Sequence, residues 1–290
     1  MRRASIRIAC WLMVLLGLSG ADAQDSPLGE SWDYAPAMRE VAARFRGRAG
    51  VVLHIGDSIT YANPYSQWAR VGKAKTPEDR VILHWMHMGA ENDTDGWWLC
   101  RYDHPAGGRS YTAAGGLRVD EALAGGKQGL PPLADLLRQY QPQMVVFMLG
   151  TNDASAHRPV EQYEADICRA VQLMLVEGTI PILSTIPPHP HRGRLASQYN
   201  ESLRRIAQEK QIPLIDYERE ILLRRPNDWN GTLLVRDDVH PTAASGAVNA
   251  ASAPTSTNLN SCGYLLRGWL SVRKIAEVKR RVIDRPPARR

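Results

Sequence analysis

Apolar positions along the chain recur in two alternating patterns. Val51–Ile55, Gln143–Leu149, Ile180–Ser184 and Ile212–Ile215 are short, nearly continuous apolar runs. They are too short for a typical helix and have the composition of strands buried on both faces. Between them apolar residues repeat at three- and four-residue intervals. Asp33–Phe45 places Ala37, Met38, Val41, Ala42 and Phe45 on one helical face, Val160–Glu177 places Ile167, Val171, Met174 and Leu175, and Arg194–Lys210 places Leu203, Ile206 and Ala207. Pro131–Tyr140 fits the same period, and Gly178 ends the middle helix as a C-cap. Thr76-Pro77-Glu78-Asp79 combines an N-cap, a proline at the first helical position and acids in the first turn, which predicts a helix to about His87. With a further strand near Arg109–Thr112, the alternation predicts an α/β fold whose parallel sheet of about five strands is covered on both faces.

Three stretches fall outside this rhythm. Residues 1–23 join Arg2, Arg3 and Arg7 to the apolar run Ile8–Leu18 and end in Ala21-Asp22-Ala23, the pattern of a cleaved signal peptide. That run is too short to span a bilayer permanently, and no second long apolar run follows, so the expected product is a secreted or periplasmic protein without integral membrane association. Residues 89–116 form an irregular insertion rich in Trp, Gly and Asp, and residues 243–261, rich in Ala, Ser, Thr and Asn, read as a disordered loop or a lid. The segment 264–282 returns to helical period, with Leu265, Leu266, Trp269, Val272 and Ala276 on one side and a basic face read as solvated surface. No repeat or linker divides residues 24–290, which are therefore read as one domain.

Composition narrows the function classes. Hydrophobic residues at 44% and charged residues at 23% exclude a disordered or fibrous chain. The net charge of +6 resides in Arg273–Arg290, where eight Lys/Arg face two Asp/Glu, so the body of the chain carries no basic surplus and no nucleic-acid partner is expected. Beyond the signal peptide, Cys100, Cys168 and Cys262 could supply one disulfide, with spacing giving no choice of pair. No Cys/His ligand set stands out, so neither metal nor other cofactor is expected.

Candidate chemistry lies where the apolar runs end. Gly56-Asp57-Ser58-Ile59-Thr60 follows the first run directly, at the strand end where open α/β sheets bind ligands. Gly150-Thr151-Asn152-Asp153 holds the equivalent place after the second, so the Asn152 amide can donate to an oxyanion on the same rim as Ser58. Asp237-Asp238-Val239-His240 sets a carboxylate, Asp237, three residues before a histidine that it can orient. Each piece alone is also a plausible turn or cap. Together they supply a hydroxyl, an oxyanion donor and an oriented base, the parts of acyl transfer.

The set and its order resemble the SGNH hydrolases, or GDSL esterase/lipase family, over about residues 50–242. The resemblance implies a flavodoxin-like three-layer α/β/α sandwich and a serine esterase in which Ser58, His240 and Asp237 form the triad. It also implies an oxyanion hole made by the Ser58 and Gly116 N–H groups and the Asn152 side chain. The glycine block is Ser110-Tyr111-Thr112-Ala113-Ala114-Gly115-Gly116-Leu117, in which Gly115 is the alternative and the family's asparagine is missing. Asp57, Trp97, Trp98 and His189 are candidate substrate contacts, the two tryptophans as stacking surfaces for sugar. Export and the Trp/Asp-rich insertion favour a small-molecule or polysaccharide acyl ester as partner, with O-acetyl groups on carbohydrate first. A lipase, thioesterase or acyltransferase on the same site, or a non-catalytic carbohydrate-binding module, are the alternatives.

Overall fold

A computed structural model of the chain describes residues 31–89, 95–102 and 110–285. The signal peptide expected at 1–23, and residues 90–94 and 103–109 of the insertion at 89–116, lie outside the described residues. The elements run α1 (Ala35–Arg44), β1 (Arg48–Gly56), α2 (Ser58–Tyr61), α3 (Pro64–Val71), α4 (Pro77–Trp85), α5 (Val119–Ala124) and α6 (Leu133–Tyr140). They continue with β2 (Pro142–Met148), α7 (Thr151–Ser155), α8 (Val160–Val176), β3 (Ile180–Ser184), α9 (Gly193–Glu209), β4 (Leu214–Ile215) and α10 (Tyr217–Arg224). A two-strand ribbon, β5 (Ala244–Ser245) and β6 (Val248–Asn249), leads to α11 (Ser256–Leu259) and α12 (Gly263–Val278). Among the described residues no helix is long and apolar enough to cross a membrane.

The parallel sheet has four strands in the order β1-β2-β3-β4 rather than five. What the sequence suggested as a strand near Arg109–Thr112 reduces to one parallel bridge, between Ala113 and Gly56. That bridge still fixes the topology. With the Ala113 segment counted, the chain order across the sheet is 2-1-3-4-5, the flavodoxin-like doubly wound arrangement, and connections depart in opposite directions on either side of β1. Such a switch point opens a crevice at the carboxyl end of β1, where Ser58 stands. β2 and β3 are buried along their whole length, which accounts for their unbroken apolar runs.

Helices flank the sheet. α8 and α9 pack on each other and on β3, joined by α5 and α6 beside α8, while α12 packs with α3, α4, α10 and β4. The expected capping box of α4 is present: Thr76 Oγ1 accepts from the Asp79 N–H and the Asp79 carboxylate from the Thr76 N–H. Two expectations fail. The region 243–261 is folded as a ribbon and a short helix, neither loop nor lid, and Ala250 and Leu259 anchor it in the core. The basic face of α12 is not a solvated surface: Arg267 and Lys274 are buried, Arg273 pairs with Asp79, and Lys274 and Arg281 pair with Glu277. Cys100, Cys168 and Cys262 are free thiols, so no disulfide links them.

The turn after β2 depends on one glycine. Gly150 has φ +138°, open only to glycine, and a Cβ there would lie 2.8 Å from the Tyr163 hydroxyl. Gly150→Ala is expected to cost about 1–3 kcal/mol and to lower the urea midpoint. An unchanged midpoint would show that the turn relaxes without strain.

Candidate active site

Ser58 is the first residue of α2. The buried Asp57 is its N-cap, and the Asp57 Oδ1 accepts from the Ile59 N–H at 3.0 Å. Gly56, one step earlier, must be small because a Cβ there would come within 2.7 Å of the Met148 carbonyl oxygen on β2. The first N–H groups of a helix have no intrahelical partner. Among the described residues nothing takes the Ser58 N–H or the Gly116 N–H, and Gly116 adopts φ +70°. Gly116 thus has a backbone N–H that no group among the described residues takes up.

Ser58 and His240, 182 residues apart, meet at 2.9 Å between Oγ and Nε2. On the other side of the ring, Nδ1 lies 2.8 Å from Asp238 Oδ1. A carboxylate only accepts, so Nδ1 carries the proton and Nε2 is free to accept the serine hydroxyl. The carboxylate is therefore Asp238, two residues before the histidine, and not Asp237. Asp237 takes the left-handed conformation, φ +57°, and its Oδ1 accepts from the Asn230 side-chain amide at 3.0 Å while its own N–H donates to Asn230 Oδ1 at 2.7 Å. Its carbonyl oxygen also accepts from His191 Nε2. Asp237 shapes the loop, and the loop aims Asp238 at the imidazole. Both ends of that pair are open, His240 at 39% and Asp238 at 45% exposure. The hydrogen bond from His240 holds the Asp238 carboxyl below its ordinary value, against a desolvation effect that alone would raise it.

Asn152 opens α7 on the same rim. One of its amide protons goes to Asp57 Oδ2 at 3.0 Å, and the other lies 3.4 Å from the Leu117 carbonyl, a weak contact. Asp57 therefore binds the amide rather than any ligand: it is fully buried and its oxygens are held by Ile59 and Asn152. Burial pushes its carboxyl up to about 6, offset in part by the Ile59 N–H and the charges of Arg267 and His240. Asp153 turns inward to Arg158 and the Val119 N–H, tying α7 to α5.

The other candidate contacts move away from substrate. Trp97 is 2% exposed and stacks on His54 with centroids 4.2 Å apart, so it is a core residue. Trp98 carries the Arg70 and Arg101 guanidinium groups over its ring at 4.3 and 4.2 Å, which occupies it internally. His189 is also committed: Nδ1 accepts from the His191 N–H, so Nε2 is the donor to Ser155 Oγ. Burial, His191 and Arg192 lower its pKa, which keeps it neutral. An aromatic pair that sequence reasoning did not single out follows Ser58 in the chain. Tyr61, in α2, lies 5.5 Å from the ring of Tyr102, which is 50% exposed.

The chain is similar to known proteins of one family. A family model described as the GDSL-like lipase/acylhydrolase family matches residues 54–247. Thioesterase 1/protease 1/lysophospholipase L1 of Escherichia coli K12 is 29% identical over 129 residues, 42% of this chain and 58% of its own length. The arylesterase of Vibrio mimicus is 25% identical over 114 residues, 39% of this chain and 54% of its own. The chain thus spans little more than half the length of these relatives. Among solved structures, a carbohydrate esterase family 3 protein from Talaromyces cellulolyticus has a TM-score of 0.49 at 16% identity, covering 79% of this chain and 97% of that one. An acetylxylan esterase of Geobacillus stearothermophilus has a TM-score of 0.48 at 18% identity, covering 80% and 96%. The family match runs from within β1 past His240 and takes in every block on which the resemblance was read, so the chain belongs to the GDSL-like lipase/acylhydrolase family.

Proposed function

We propose that this chain is an exported, single-domain serine esterase that removes short acyl groups, acetyl foremost, from carbohydrate, with Ser58 as nucleophile, His240 as base and Asp238 as the carboxylate that orients it. The observation that carries the reading is the continuous relay from Asp238 through His240 to Ser58, at 2.8 and 2.9 Å. In acylation Ser58 Oγ attacks the ester carbonyl carbon as its proton passes to His240 Nε2. The ester C–O bond then breaks, and the same proton leaves with the alcohol. Water repeats the sequence on the acyl-serine: His240 takes a proton from it, the acid departs, and the proton returns to Ser58.

The oxyanion would be met by the Ser58 and Gly116 N–H groups and by the Asn152 proton that now rests loosely near Leu117. Asp57 is the fixed end of that amide. As an anion it holds the other Asn152 proton with a charge-assisted bond, which sets the plane in which the free proton points. The Tyr61 and Tyr102 ring pair, one helical turn on from Ser58 in α2 and partly exposed, suits the flat faces of a sugar and replaces the two tryptophans as the support for a carbohydrate alcohol. Export rests on the pattern of residues 1–23.

Release of p-nitrophenol from acetate, butyrate and octanoate esters, together with acetate from acetylated xylan, tests the reading. The expected result is preference for acetate, acetate release from the polymer, and loss of both in Ser58→Ala with folding retained. Full activity in Ser58→Ala would remove the nucleophile assignment, and preference for octanoate would move the substrate to lipid or acyl thioester. The two aspartates separate cleanly. Asp238→Asn is expected to lower kcat by about 10²–10⁴-fold, whereas Asp237→Asn, which tolerates the left-handed backbone, should stay within about threefold because Asp237 makes no contact with the imidazole. The reverse ranking in steady-state kinetics would restore Asp237.

A carboxyl whose folded-state pKa exceeds its unfolded one binds its proton more tightly when folded. For Asp57, stability is gained as the pH falls from about 6 to 3.8 and lost over the same window as it rises. Asp57→Asn should therefore be more stable than the wild type at pH 8 by up to about 3 kcal/mol, with lower kcat. That advantage should shrink in urea titrations as the pH is taken down through this window. A difference independent of pH would mean that Asp57 does not titrate there.

A further inference from the structure

Helix α12 lies beyond the segment matched by the family model, yet it touches both halves of the site. Its first turn holds the strand-like segment that follows His240: the Gly263 N–H donates to Thr242 Oγ1 at 3.0 Å and the Tyr264 N–H to the Thr242 carbonyl at 3.1 Å. One turn on, the buried Arg267 side chain enters the back of the nucleophile turn. Its Nη1 donates to the Ile59 carbonyl at 2.7 Å and its Nη2 to Thr60 Oγ1 at 2.9 Å. The guanidinium lies 3.8 Å from the centre of the Tyr65 ring. No carboxylate among the described residues forms an ion pair with it.

That arrangement calls for a reason, because sealing an ion from water without a partnered charge is unfavourable. The reason lies in α2. A helix of four residues does not hold its own shape, and its last carbonyls have no intrahelical donor. A fork of two N–H groups and a positive charge at that end answers both deficits. We propose that Arg267 is a positioning residue for Ser58: by fixing the Ile59 carbonyl and the Thr60 hydroxyl from the C-terminal helix, it sets where the Ser58 hydroxyl and N–H stand relative to His240, which the same helix holds through Thr242. This rests on the reading of Ser58 as the nucleophile.

Arg267 also faces Asp57. The charged and titratable groups around that carboxyl are Arg267 from α12, His240 from its loop, Asp153 from α7 and, at the head of α12, Tyr264. Arg267 and His240 favour the ionised carboxyl and Asp153 opposes it. Loss of the Arg267 charge should therefore raise the pH at which Asp57 takes up its proton.

The test follows the reactivity of Ser58 itself. The second-order rate of labelling by a fluorophosphonate is measured by intact mass, and kcat and KM on p-nitrophenyl acetate are measured alongside across pH, well below the melting temperature of each variant. Arg267→Met is expected to slow labelling by about 10²-fold, to lose kcat with KM within about threefold, and to move the acid limb of the profile upward. Arg267→Lys, which keeps the charge but loses the planar fork, should recover part of the rate and leave the acid limb in place. Lys274→Met serves as control: this second buried cation of α12 pairs with Glu277, away from α2, so its loss should lower stability and leave the labelling rate unchanged. Wild-type labelling in folded Arg267→Met overturns the proposal. If that variant does not fold, wild-type labelling in Arg267→Lys overturns it. A folded wild type that is not labelled at all removes the nucleophile reading and this inference with it, whereas labelled wild type with unaffected variants removes only the inference.

Discussion

The pairing of Gly56 with Met148 in the β1–β2 ladder governs the geometry of everything above it. Two parallel strands that end level with each other deliver their next residues to one rim, and here those residues are Asp57-Ser58 on one side and Gly150-Thr151-Asn152 on the other. A slip of one residue would turn every side chain of the strand to its opposite face and separate the serine from the amide. The register is held by close packing of side chains on both faces of β2, which is buried along its whole length. The fold contributes a fixed distance, and the chemistry is written in the turns it presents.

Beneath that rim the structure tolerates charge where an apolar residue would be cheaper. Asp57 is sealed from water and joins Asn152 to the Ser58 turn, and the buried Arg267 closes the turn from behind. Farther back, His54, Tyr65 and Ser271 form a hydrogen-bonded line from β1 to α12, and the sealed Arg70–Asp95 pair secures the segment that carries Trp97 and Trp98. Buried polar lines of this kind fix one arrangement against its neighbours, and the line from β1 to α12 ends at His54 Nε2, which is buried with no hydrogen-bond partner among the described residues. The His240–Asp238 pair is the opposite case, open to solvent at both ends.

The strands were the most legible part of the sequence, because burial on both faces leaves an unbroken apolar run; Ile180–Ser184 coincides with β3 residue for residue. The α4 cap was equally plain, since each of its parts lies within four residues. Reading failed where distant contacts decide. Nothing local distinguishes Asp237 from Asp238, and the choice is made by Asn230, seven residues upstream, which bends the backbone of Asp237 away from the ring. The small polar residues of 243–261 suggested a free loop, yet their backbone is taken up by a ribbon and by Thr255, which caps α11 through the Asn258 N–H. Trp97 was offered to substrate and is instead enclosed by His54 and Tyr65. The tyrosines at the rim left no periodic trace because one sits in a four-residue helix and the other in an irregular segment.

The bonds from Arg267 to the Ser58 turn reach back 208 and 207 residues along the chain. Contacts of such separation close only after most of the intervening chain has condensed. Since synthesis proceeds from the N-terminus, Ser58 leaves the ribosome long before the side chain that braces it exists. Ser58, His240 and Arg267 therefore become one unit only in the finished molecule, and the order of manufacture itself keeps them apart in the nascent chain.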